Sequence, residues 1–331
     1  MIPLSERRTL VLHPTQQCNA ACDHCATFSS PKTMTSLESG LVSAAIRQAS
    51  DAGFTHIVFS GGEVTLTGKR LLDGIRLAVG LGLKTQMVTN GWWAKTEKAA
   101  RRHATNFSEA GLTEINFSTG DQHARFVPVA SIVRGVCACV RANIPVTVIV
   151  EMVDERSIRR ETIAADPNIL SVRSEFPERQ LSIYQSPWMP TTPDEQHVYP
   201  PGVAVNKQNL NTRGGCDEVI QTLTVGPDGG VTACCGVGVT RIPELKIGDV
   251  RDITVGEAAE KAMESPLYWR LRNEGPEHML AAAAEVDPTI EWENRYGHRC
   301  QACMRLFSDE KVRNVVLGHE TESKHGDRDD S

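Results

Sequence analysis

The 331-residue sequence contains no apolar run long enough to span a bilayer. It offers no polybasic patch for a membrane surface. Its formal net charge is −6, so electrostatics give no reason to expect nucleic acid as a partner. The start, Met1-Ile2-Pro3-Leu4-Ser5-Glu6-Arg7-Arg8, lacks the apolar segment of a secretion signal, which predicts a cytoplasmic protein. No repeat recurs at a fixed period. The first cysteine group, Cys18, Cys22 and Cys25, also lacks a fourth member nearby.

What is present is cysteine chemistry. Ten cysteines in a reducing compartment point to metal or catalysis more than to disulfides. Cys18-x3-Cys22-x2-Cys25 follows the short apolar run Thr9-Leu10-Val11-Leu12. Three thiolates from one loop can hold three irons of a [4Fe–4S] cube and leave the fourth iron open to a small molecule. Zinc is the alternative for Cys22-x2-Cys25, but a structural zinc site takes two ligands per knuckle, and the closely set third cysteine counts against it. The C-x3-C-x2-C loop resembles that of the radical S-adenosylmethionine (SAM) enzymes. The resemblance implies SAM on the open iron, and reductive cleavage of SAM to a 5′-deoxyadenosyl radical that abstracts hydrogen from substrate.

Residues 9–185 alternate strand-like apolar runs with helical stretches. Strands are expected at Thr9–His13, His56–Ser60, Lys84–Thr89, Glu114–Ser118, Val146–Met152 and Leu181–Tyr184, and helices at 36–52, 68–81, 95–110, 129–142 and 155–164. Strict alternation predicts an α/β fold with a parallel sheet and crossover helices. Six units resemble the partial (β/α)6 radical SAM barrel, in which chemistry gathers at the C-terminal strand ends.

Notable residues fall at those ends. After the second strand come Gly61, Gly62 and Glu63: glycines permit a tight turn and close approach, and the carboxylate can accept from an ammonium. By resemblance this Gly-Gly-Glu binds the SAM amine; an ordinary turn with a solvated Glu is the plain alternative. Asn90, in an Asn-Gly turn after the third strand, can face SAM. Ser118 is a candidate for the SAM ribose or carboxylate. Asp121 and His123 could orient SAM or substrate, although a helix cap also explains Asp121. Glu151 is a further SAM candidate, or a surface charge. Cys137 and Cys139, two apart on a helix, do not share a face and read as packing residues.

Proline and glycine rise over 187–215, which marks a linker or substrate-facing loop. A hairpin is expected next, from Val219–Val225 through Gly226-Pro227-Asp228-Gly229-Gly230 to Val231–Cys235. Cys216, Cys234, Cys300 and Cys303 make four thiolates for a second [4Fe–4S] cluster, with zinc as the alternative. Their spacing resembles the auxiliary "twitch" or SPASM-type domains. On a strand, Cys235 would point away from a cluster held by Cys234. It would then be free to donate a hydrogen atom, unless it is simply a buried structural thiol. The organisation expected is 1–186 barrel, 187–215 linker, 216–310 auxiliary domain with hairpin and helices, and 311–331 a polar, disordered tail.

Taken with Ser-Gly-Gly-Glu-Val, Thr-Asn-Gly-Trp-Trp, Asp121-Gln122-His123-Ala124-Arg125-Phe126-Val127, Asp-Gly-Gly-Val-Thr-Ala-Cys-Cys and Cys300-Gln301-Ala302-Cys303-Met304-Arg305-Leu306-Phe307, the chain resembles the radical SAM peptide epimerases. These convert L- to D-residues in ribosomally made peptides. The resemblance assigns radical quenching to Cys235 and implies a precursor peptide substrate and a flavodoxin- or ferredoxin-type electron donor. The family has an acidic residue a few positions after the first auxiliary cysteine; here Asp217 and Glu218 lie closer to it than expected. A peptide cross-linking or thioether-forming enzyme, a small-molecule oxidase or epimerase, and a non-catalytic iron–sulfur or zinc protein are the other readings. The small-molecule reading is kept open by the expected absence of room for an N-terminal peptide-recognition domain before the first strand.

Overall fold

The computed structural model describes residues 4–153, 158–191, 195 and 197–323. Nine strands form one sheet among them: β1 (Thr9–Leu12), β2 (His56–Phe59), β3 (Lys84–Thr89), β4 (Glu114–Gly120), β5 (Val146–Met152), β6 (Leu181–Pro187), β7 (Thr222–Val225), β8 (Gly230–Thr232) and β9 (Lys246–Asp249). Their order is β6-β5-β4-β3-β2-β1-β7-β8-β9. Strands β1 to β6 pair in parallel, as expected from crossover connections. The crossovers carry α1 (Ser39–Asp51), α2 (Lys69–Gly80), α3 (Glu97–Ala110), α4 (Asp121–Ala124), α5 (Val129–Arg141), α6 (Arg160–Ala164) and α7 (Pro167–Glu175). After the sheet come α8 (Val255–Glu264), α9 (Pro266–Asn273), α10 (Pro276–Val286), α11 (Arg299–Ser308) and α12 (Glu310–Ser323).

The α/β class and the parallel sheet expected from the sequence are both present. The periodicities explain why. Val42, Ala45, Ile46 and Ala49 make one buried stripe on α1. Thr96 caps α3 through Ala99 N–H, and Gly111 ends it in the left-handed region. β1 is buried on both faces, with helices outside and the barrel interior within. Strand register defines that interior. Val11 pairs with Val58, Val88 with Asn116, Ser118 with Ile149 and Gly120 with Glu151, so these side chains share one face.

Four features differ from expectation. The hairpin does not stand apart from the barrel: β7 pairs in parallel with β1, Thr9 opposite Thr222 through Leu12 opposite Val225, and extends the same sheet. β8 ends at Thr232, so Cys234 and Cys235 lie beyond the strand. The expected tail at 311–331 begins instead as α12, with Val312 and Val316 buried; residues 324–331 lie outside the described residues. Apolar spacing at 312 and 316 outweighs the polar composition around it. Helix α6 starts at Arg160, and 155–157 of the helix expected there lie outside the described residues, as does Pro193 of the linker.

Candidate active site

Cys18, Cys22 and Cys25 lie in the loop between β1 and α1, all as free thiols and half-buried. Backbone N–H groups already point at two of the sulfurs: Ala20 N to Cys18 Sγ at 3.4 Å and Ser29 N to Cys25 Sγ at 3.2 Å. Burial pushes the Cys18 thiol up to about 11 and the Cys22 thiol up to about 12. Left unligated these thiols stay protonated at neutral pH, whereas metal ligation requires thiolates, so binding releases protons.

The Gly-Gly-Glu turn packs tightly on the backbone that leads into the cysteine loop. Gly62 N donates to Thr15 O and Glu63 N to Gln17 O, both at 2.9 Å. A Cβ on Gly62 would lie 2.1 Å from Gln17 O. The close approach is therefore between the Gly-Gly-Glu turn and the backbone leading into Cys18. Glu63 itself is 1% exposed. Its Oε1 accepts from Thr65 N (3.2 Å), Thr65 Oγ1 (2.5 Å) and Thr89 Oγ1 (2.8 Å), and its Oε2 from Asn90 N (2.8 Å). Burial raises its pKa, and those donors oppose the rise. Asn90 extends Nδ2 toward Asn19 Oδ1 (3.0 Å) and Cys18 Sγ (3.6 Å), so the Asn-Gly turn touches the cysteine loop directly.

On the far side, Ser118 shares the interior face with Glu151. Glu151 is buried; its Oε1 accepts from Gln122 N at 2.9 Å, and its Oε2 pairs with His123 Nδ1 at 2.7 Å. A Cβ on Gly120 would lie 2.4 Å from the Glu151 carboxyl carbon, which is why β4 ends in glycine. His24, between two of the loop cysteines, lies 3.9 Å from Glu151 Oε2 and edge-on to His123. Asp121 does not cap α4; its Oδ1 accepts from Ile158 N at 3.0 Å. Several buried polar atoms here have no protein partner: Asn19 Nδ2, His24 Nδ1, Asp121 Oδ2 and Trp188 Nε1. Buried polar groups are ordinarily satisfied, so orphans of both signs beside three free thiols fit a polar ligand with donors and acceptors, as SAM has. Trp188, 6.5 Å from the His24 ring, comes from the 187–215 loop and carried no sequence signal beyond being aromatic.

The second thiol set is brought together around Gly236. A Cβ there would lie 3.3 Å from Cys300 Sγ and 3.5 Å from Cys234 Sγ. Burial raises the pKa of both Cys234 and Cys303; the Cys303 charge adds to the rise at Cys234, and the Cys300 and Cys216 charges add to it at Cys303. Among the described residues, the one His/Cys/Asp/Glu group with ligand atoms all within 4.8 Å is His24, His123 and Glu151. A tetrahedral zinc with Zn–S near 2.3 Å needs thiolates roughly 3.8 Å apart. Neither cysteine set brings three thiols within 4.8 Å of one another.

Cys235 parts from this group. Cys234 is buried whereas Cys235 is exposed. The Thr224 and Thr232 hydroxyls both donate to the Cys234 carbonyl, at 2.9 and 3.1 Å, and fix the pair although it lies off the strand. Cys235 lines a cavity of about 690 Å³ inside the barrel, together with Val11, His13, Val58, Val88 and, from the segment after Cys25, Thr27. Its thiol donates toward Glu218 Oε2 at 3.8 Å. Although this thiol opens onto the cavity, the enclosing protein desolvates it and raises its pKa, as does the Glu218 charge. Arg272, also on this cavity, escaped the sequence reading, as did His13, whose pKa burial lowers to about 4.

Comparison with known proteins agrees with this geometry. Residues 12–153 match the model of the Radical SAM superfamily. YydG of Bacillus subtilis (strain 168), whose name assigns it to peptide biosynthesis, is 27% identical over 126 residues, 38% of this chain and 40% of YydG. The match thus spans well under half of that relative. Native anSMEcpe with bound AdoMet superposes with a TM-score of 0.56 at 12% identity, over 95% of this chain and 97% of that one. Its complex with AdoMet and the Cp18Cys peptide superposes with a TM-score of 0.54 at 13% identity, over 94% and 99%. At such identities the likeness is one of fold. The region that matches the radical SAM model, residues 12–153, holds the three-cysteine loop, the last residue of β1 and strands β2 to β5.

Proposed function

We propose that the protein is a radical SAM peptide epimerase that inverts L-residues to D-residues in a ribosomally made peptide. The observation that carries the reading is the divergence of two neighbouring thiols: Cys234 turns toward Cys300, and Cys235 opens into the cavity that reaches the Cys25 loop. Cys18, Cys22 and Cys25 would hold a [4Fe–4S] cluster, and Cys216, Cys234, Cys300 and Cys303 a second, auxiliary one. Gly61, Gly62, Glu63, Asn90, Ser118, Asp121 and Glu151 would frame SAM, with Glu63 Oε2, which accepts from Asn90 N, as the acceptor for the SAM ammonium. When bound, cluster and SAM would supply a 5′-deoxyadenosyl radical.

The chain's own contribution is stereochemical. The barrel holds one face of a peptide residue toward the Cys18–Cys25 loop and the other toward Cys235. Loss of the α-hydrogen from the first face leaves a carbon radical. Homolysis of the Cys235 S–H bond returns a hydrogen atom from the second face and inverts the centre. The thiyl left on Cys235 regains a thiol by taking one electron, originating from a flavodoxin- or ferredoxin-type donor, and one proton, for which Glu218 is the adjacent carrier. No net electrons leave the peptide.

The test uses the reconstituted protein, SAM, reductant and a synthetic peptide matching a short reading frame beside its gene. Cys235→Ala is expected to form 5′-deoxyadenosine and yield no D-residue. Unchanged inversion in that variant would remove the role of Cys235. A product lighter by two hydrogens would indicate cross-linking or thioether formation instead.

A further inference from the structure

Arg272 heads the fully buried side chains by size and is 1% exposed. Enclosing a guanidinium is costly unless it is well partnered, so its partners say what it is for. From α9 it reaches the turn 216–222, where Nη1 donates to Asp217 O at 2.6 Å and to Val219 O at 3.0 Å. These carbonyls flank Glu218 on both sides. The same turn carries Ile220 at φ 69°, a β-branched residue in the left-handed region, which persists only where surroundings enforce it. Ile220 N is tied to Ala233 O (3.0 Å) and Thr222 N to Glu218 O (2.9 Å), while Thr222 Oγ1 donates to Glu218 Oε2 at 2.6 Å. At the head of the turn, Cys216 N bonds to Leu271 O, next to Arg272 in the chain. A single strained loop thus presents Cys216 on one side and Glu218, aimed at Cys235, on the other.

We propose that Arg272 is a positioning residue: by clamping the carbonyls before and after Glu218, it holds that carboxylate against the Cys235 thiol and so couples hydrogen return to hydrogen abstraction. The inference rests on the epimerase reading. It explains why a long cation is buried at a place where an apolar side chain would pack at lower cost. Both bonds leave the one Nη1 nitrogen, whose two N–H groups are fixed in direction by the planar guanidinium, whereas a lysine ammonium on a flexible stem holds the carbonyls with less order.

The experiment compares wild type, Arg272→Met, Arg272→Lys, Glu218→Gln and the double variant Glu218→Gln/Arg272→Met, all reconstituted with iron and sulfide and supplied with SAM and the same peptide deuterated at the α-carbon. Bound iron, deuterium transferred to 5′-deoxyadenosine, and D-residue formed are each measured. Arg272→Met is expected to keep its iron and its deuterium transfer while 5′-deoxyadenosine per inverted residue rises about tenfold or more, with Arg272→Lys in between. The double variant should be no worse than Glu218→Gln, since both changes disable one device. An unchanged ratio in Arg272→Met, independent addition in the double variant, or loss of iron from both Arg272 variants would overturn the proposal. Absence of inversion by wild type would instead overturn the epimerase reading beneath it.

Discussion

At the scale of single residues, the site depends on contacts too close to tolerate one extra carbon. Gly62 faces the Gln17 carbonyl, and a methyl there would sit 2.1 Å from it. Gly62→Ala should push the Gln17 segment, and Cys18 with it, out of place at a cost of about 1–3 kcal/mol. The measurable outcome is a lowered thermal midpoint together with reduced iron at the Cys18–Cys25 loop. His13 gives a pH signature. Buried without charge, its pKa falls to about 4 from the ordinary 6.5, so the unfolded chain binds the extra proton between those values. Its contribution is fully present above pH 6.5 and is lost as pH falls toward 4. Between pH 6.5 and 5 this amounts to about 2 kcal/mol. His13→Asn should flatten that part of the denaturant-midpoint profile; an identical profile would show that His13 is not the group responsible.

At the scale of elements, strand ends and the loops after them carry the chemistry, and they mark the limit of what a sequence shows. All six parallel strands were legible because their apolar runs are short, buried and punctuated by glycine and asparagine. The Cys18–Cys25 loop was legible because its spacing is local. Glu63 illustrates the limit. The sequence shows a carboxylate after a glycine pair, but only the fold reveals that Thr65, Thr89 and Asn90 surround it. The divergence of Cys234 and Cys235 was expected from strand alternation, yet β8 stops at Thr232 and two threonine hydroxyls hold the pair instead. Arg272 was invisible because Asp217 and Val219, which it holds, lie more than fifty residues earlier, and Trp188 because the ring it approaches at the site, His24, belongs to the distant cysteine loop. The junction of β4 with α4 offers a test at this scale. Gly120→Ala would drive a methyl to 2.4 Å from the Glu151 carboxyl and displace its pairing with His123. An overpacking strain of about 1–3 kcal/mol should appear as a SAM dissociation constant raised roughly tenfold or more, measured by equilibrium dialysis on the iron-loaded protein.

At the scale of the whole molecule, one sheet joins both thiol sets. β7 pairs with β1, so the hairpin that carries Cys234 and Cys235 is registered directly against the strand that leads into Cys18. On the proposed reading, that connection would let a thiol near residue 235 serve chemistry set up near residue 18. Among the described residues no helix is long and apolar enough to cross a membrane. If the two sets hold separate cubes, roughly eight irons bind per chain and removing one set leaves about four. Replacing Cys18, Cys22 and Cys25 by alanine should retain the auxiliary iron and abolish 5′-deoxyadenosine formation. Replacing Cys300 and Cys303 should retain the SAM-cleaving set. Iron and sulfide analysis of the two variants checks this directly; zinc in place of iron at the second set would contradict it.

The most direct measurement of the central claim follows the hydrogen that Cys235 returns. With the peptide in heavy water, the thiol exchanges its proton for a deuteron, so the account predicts a single deuterium at the inverted α-carbon and none at residues left in the L-form. Inversion without deuterium at that carbon, or the same deuterated product from Cys235→Ala, would contradict it.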